Sequence, residues 1–82
     1  MYILREMETF TNSDSIAIQT YKHDTGDTQQ DLRLAESQLH QIMTSALLNN
    51  EVKMVVCDII APSGMCTRYE SDVKPDEPTP NK

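Results

Sequence analysis

Residues Thr28–Ile60, TQQDLRLAESQLHQIMTSALLNNEVKMVVCDII, decide the fold. The first two thirds read as an amphipathic helix over about Gln29 to Asn50, because Leu32, Ala35, Leu39, Ile42, Met43 and Ala46 recur at steps of three and four and stack into one stripe. The last third, Glu51 to Ala61, is the most apolar strand of the chain. Alternation puts Val52, Met54, Val56 and Ile60 on one side, with Asp58 as the one polar interruption, and Val55, Cys57, Ile59 and Ala61 on the other. Both faces of this strand therefore want cover, and one helix covers only one of them.

Upstream, Tyr2 to Phe10 reads as a strand with Ile3 and Met7 on one face and Tyr2 and Leu4 on the other. The polar cluster Thr11-Asn12-Ser13-Asp14 makes a turn into a second strand, Ser15 to Lys22, where Ile16, Ile18 and Thr20 oppose Ala17, Gln19 and Tyr21. A polar loop, His23 to Gln30, then supplies the helix start: Asp27 or Thr28 can accept the first-turn amides, and Asp31 completes an Asp variant of the capping box. Asn49 or Asn50, in a left-handed conformation, is expected to close the helix. Downstream, Ala61-Pro62-Ser63-Gly64 is a turn and Met65 to Glu70 a returning strand. From residue 71 to 82 the chain is polar and proline-rich, a disordered tail. The expected architecture is α+β: one ββαββ domain over residues 1–70, an antiparallel four-stranded sheet with one helix packed on a face and the central strand inside the sheet.

With seven Lys and Arg against thirteen Asp and Glu, the net charge of −6 disfavours general nucleic-acid binding and anionic membranes. The chain starts without a basic segment leading into an apolar run of about 7 to 15 residues, and no stretch approaches about 18 apolar residues. The expected location is the cytoplasm. A domain this small buries only about 60% of its unfolded surface, which favours self-association as a source of stability.

Chemistry-bearing residues are few. The two thiols, Cys57 and Cys66, are read as buried hydrophobes: a two-residue loop between their strands leaves them diagonal on one face, and a three-residue loop puts them on opposite faces. His23 and His40 lie in separate elements without metal-ligand spacing, and Asp24-Thr25-Gly26-Asp27 lacks the ligand set of a calcium loop. Two glycines in the whole chain leave no phosphate-cradling loop. No cofactor, metal or catalytic set is expected. The cations Arg5, Lys22, Arg33, Lys53 and Arg68 are the remaining means of recognising an anion; of these, Arg5, Arg33 and Arg68, with Tyr69 to stack, form the candidate ligand set. If the helix packs on the Val52 side, then Val55, Cys57 and Ile59, with Tyr21, form an uncovered face for a second subunit; the opposite face assignment is open.

The opening Tyr2-Ile3-Leu4-Arg5, the segment Leu39 to Ala46, the strand Val52 to Ile60, the Pro62-Ser63-Gly64 turn, Arg68-Tyr69-Glu70 and the Pro/Glu tail together resemble small uncharacterised acidic proteins encoded in phages and prophages of Gram-positive bacteria. The resemblance implies a homo-oligomeric, non-enzymatic binding protein of the infected cell. Its role would be anti-defence, blocking a host immune protein or sequestering its nucleotide signal. A second implied role is that of a virion or lysis-region accessory protein acting through protein contacts. The family supplies no catalytic residues to carry over.

Overall fold

A computed structural model describes residues 1–72. Five elements follow in the order β1 (Tyr2–Phe10), β2 (Ser13–His23), α1 (Thr28–Leu48), β3 (Val52–Ile60) and β4 (Cys66–Asp72). The four strands form one antiparallel sheet in the order β2-β1-β3-β4, and α1 packs on one face of it, chiefly over β1 and β3. The ββαββ expectation is met, with β3 internal and β4 at an edge. The strand extends through Asp72, so the expected tail begins no earlier than residue 73; residues 73–82 lie outside the described residues.

Local chemistry sets the helix ends. Asp27 is the N-cap, its carboxylate accepting from the Gln29 and Gln30 amides at 3.0 and 3.3 Å. Asp31 is not part of a capping box. Instead it is buried and accepts from the Thr25 amide at 2.7 Å and the Thr25 hydroxyl at 2.8 Å, which ties the loop to the helix. At the other end Asn49 stays extended, at φ −99°, in place of the expected left-handed cap. Its amide donates to the Ala46 carbonyl, its side-chain Oδ1 accepts from the Glu51 amide, and its carbonyl accepts from Val52. These contacts turn the chain straight into β3 without positive φ. Gly64 carries the one left-handed residue of the β3–β4 turn, at φ 92°.

The core joins Ala35, Leu39 and Ala46 of the helix to Leu4, Val52, Val55, Cys57 and Ile59 of the sheet, with Tyr2, Phe10, Tyr21, Ile42 and Met43 around it. This corrects one expectation. Val55, Cys57 and Ile59 are not an uncovered face; they lie under the helix, and Tyr21 packs at their margin. The reason is a break in alternation. Phe10 pairs with Val52 and Thr9 with Met54, so Lys53 is an extra residue, and the bulge turns Val52 to the same side as Val55. The open face carries Ile3, Arg5 and Met7 of β1, Ile16, Ile18 and Thr20 of β2, Met54, Val56, Asp58 and Ile60 of β3, and Cys66, Arg68 and Glu70 of β4.

Two substitutions to Asp discriminate these faces. Ile59→Asp buries a charge in the core and should cost more than about 4 kcal/mol, abolishing cooperative unfolding. Ile18→Asp, at a residue 61% exposed on the open face, should change monomer stability by less than about 1 kcal/mol. Chemical denaturation of both variants checks the assignment.

Candidate functional site

The register of the sheet lines up Thr20, Arg5, Asp58 and Arg68 as one row across all four strands of the open face. Asp58 is central on the most apolar strand and is only 3% exposed. A lone carboxylate there would be costly, and it is fully paired. The Arg5 guanidinium donates from Nη2 to Asp58 Oδ2 at 2.7 Å. The Arg68 guanidinium is bidentate, with Nε 2.8 Å from Oδ1 and Nη2 3.2 Å from Oδ2. These charge-assisted bonds, those from Arg68 above all, outweigh burial and hold the Asp58 carboxyl at a pKa of about 2.

The two arginine side chains remain about half exposed, at 47% and 54%. A guanidinium carries more N–H donors than these contacts use, so both arginines keep donors for another acceptor. The row has one negative and two positive charges. It sits on the floor of a recess of about 270 Å³ whose other walls are Met7, Ile18 and Val56. The Asp58 anchor fixes the direction of both cations, and the aliphatic walls exclude part of the water around them. The arrangement can bind an anionic group attached to an apolar body.

Of the candidate ligand residues, the structure brings Arg5 and Arg68 together and separates the other two. Arg33 is exposed on the helix. Tyr69 follows Arg68 in the strand and therefore points to the helix side, where it lines a different recess, of about 360 Å³, with Glu36, Leu39, His40 and Met43. Asp58 is the residue that sequence reasoning missed as a partner. Its signal was present as the one polar residue of its strand, but the pairing of β1 with β3 that sets it against Arg5 spans 53 positions.

On the helix side, Glu6 and Glu8 share a face with Tyr21, whose hydroxyl lies within hydrogen-bond reach of Glu6 and Gln19. Burial first, then the neighbouring Glu6, raises the Glu8 pKa. Burial, reinforced by Glu6, Asp58 and Glu8, pushes the Cys57 thiol up to about 11, which disfavours the nucleophilic thiolate. Cys57 is buried on the helix side and Cys66 exposed on the open face, so the two thiols lie on opposite faces of the sheet. His23 is occupied by Gln38, Nε2 donating to Oε1 at 2.6 Å. Among the described residues no three His, Cys, Asp or Glu side chains gather as a metal site, and no helix is long and apolar enough to cross a membrane.

Comparison with family models, with curated proteins and with solved structures returns no match. The functional reading rests on this chain's own residues.

The Asp58 pairing has a pH signature. Because its folded pKa lies below the unfolded value near 4, the stability it contributes is complete above about pH 4 and is lost as pH falls toward about 2. Asp31, lowered chiefly by the Thr25 amide, acts in the same direction. Asp58→Asn should lower stability at pH 7 by about 1–2 kcal/mol, allowing for screening at the exposed arginines, and should flatten part of the fall between pH 4 and 2. Urea unfolding of both proteins across that range measures it.

Proposed function

We propose that this protein is a non-enzymatic binding module that recognises an acidic, aliphatic segment of a protein partner through the open face of its sheet. The observation that carries the reading is the pair Arg5 and Arg68, pinned by one buried carboxylate and flanked by Met7, Ile18 and Val56. A partner carboxylate takes the unused guanidinium donors, and its aliphatic neighbours cover the walls of the recess. The wider charge pattern supports this direction. The chain is acidic overall, whereas the open-face positions are balanced, with Arg5, Lys22 and Arg68 against Asp58, Glu70 and Asp72.

The same geometry weighs against a nucleotide trap. Base recognition draws on aromatic stacking, and Tyr2, Phe10, Tyr21 and Tyr69 are all on the helix side of the sheet. In the phage setting that the sequence resemblance implies, the role that follows is occlusion of a host defence protein.

An arrayed library of peptides carrying one to three Glu or Asp residues among aliphatic ones, assayed beside nucleoside phosphates, tests this reading. Acid-bearing members should bind in a salt-sensitive manner, and Arg5→Gln should weaken them by at least about tenfold, as expected for a lost charge-assisted hydrogen bond. A library without a binder, binding indifferent to Arg5→Gln, or binding of nucleotides alone contradicts it.

A further inference from the structure

The outer edge of β4 is an uninterrupted strand from Cys66 to Asp72, and among the described residues no strand pairs with it. It pairs with β3 without a bulge and contains no Pro, and its charged residues Arg68 and Glu70 are of opposite sign, so they repel a second copy only in the registers that set like charges opposite each other. The other edge, β2, is irregular at its start: Thr9 pairs with Ile16 but Phe10 with Ser13. The helix does not shield β4 either, since it packs over β1, β2 and β3 and leaves the recess beside Tyr69.

We infer that β4 pairs antiparallel with β4 of a second copy of this chain, joining the two sheets into one of eight strands. The charge pattern of the strand specifies the register. A two-fold axis at Tyr69, the middle residue, pairs the whole of Cys66–Asp72 with itself. Arg68 then faces the partner's Glu70, and Glu70 faces the partner's Arg68. Both residues project on the open face, so the interface forms two opposite-charge cross-strand pairs. Arg68 reaches Asp58 through Nε and Nη2, which leaves Nη1 for the partner's Glu70. Glu70 has no ion pair within its own chain among the described residues.

On the helix side the same axis sets Tyr69 directly opposite the partner's Tyr69. Each Tyr69 is 37% exposed as a residue and borders the recess formed with Leu39, His40 and Met43, so the aromatic pair extends the apolar core across the junction. The contact is isologous and closed, which satisfies both exposed β4 edges at once and stops at two copies. It also places two Arg5–Asp58–Arg68 rows on one continuous face.

Light scattering on the intact chain should give twice the 9.3 kDa chain mass. Glu70→Lys, which sets like charges opposite each other twice, should give the single-chain mass with an unchanged circular dichroism spectrum. In a Cys57→Ala, Cys66→Ser background, which removes the thiol that faces position 69 from β3, Tyr69→Cys should form a covalent dimer on mild oxidation. A monomeric parent protein, a Glu70→Lys variant that stays dimeric, absence of the 69–69 cross-link, or a dimer that is dissolved by Ile18→Asp instead overturns the inference. Because the readout is mass without ligand, it succeeds or fails independently of the acidic-partner reading.

Discussion

The antiparallel pairing of β1 with β3 makes one molecule out of two local hairpins, and the rest of the structure depends on its register. It sets Leu4 against Ile59 on the helix side and Arg5 against Asp58 on the open side. A slip of one residue would exchange these faces, placing the arginine under the helix and the leucine in water. Hydrophobic burial of the Leu4 and Ile59 layer and pairing of the Arg5 and Asp58 layer therefore favour the same register. Each makes the alternative pairing costly. Arg68, delivered by the β3–β4 hairpin, completes the pairing of Asp58 from the other side.

This coupling explains how a carboxylate is kept on an otherwise apolar strand. A neutral residue at position 58 would suit a plain sheet core better, since buried charges rarely repay their desolvation against hydrophobic packing. What the ion pairs achieve is orientation. Two long side chains that would otherwise sample many rotamers are held over one recess, with their positive charge only half neutralised. An acidic group docking there, as proposed, would meet cations already held in place by Asp58, which is the condition for preorganised recognition.

Much of the fold was legible in the sequence. The stripe from Leu32 to Ala46, the capping acid at Asp27, the Pro62-to-Gly64 turn and the alternation of β3 predict the ββαββ order, and local spacing carries all of them. The face assignment was harder because Lys53 interrupts the alternation: Val52 reads as belonging with Met54 and Val56, whereas the bulge turns it to the Val55 side. Asp58 held the information needed to choose. Its set could face the helix only by burying an acid there, whereas the open face lets two half-solvated arginines reach it. The site followed the same division. Arg5 and Arg68 were recognisable as candidate cations, but their convergence is a product of strand order, and Tyr69, adjacent in sequence to Arg68, is carried to the opposite face by the period of two.

The state of Asp58 is the most direct test of this account. Carboxyl carbon NMR of the intact protein, followed through acid titration, reads its ionisation without reference to any partner. The account requires the Asp58 resonance to titrate at about pH 2, held down by Arg68 and Arg5. A midpoint near 4, the value of an unpaired aspartate, would contradict the paired row on which the open-face site is built.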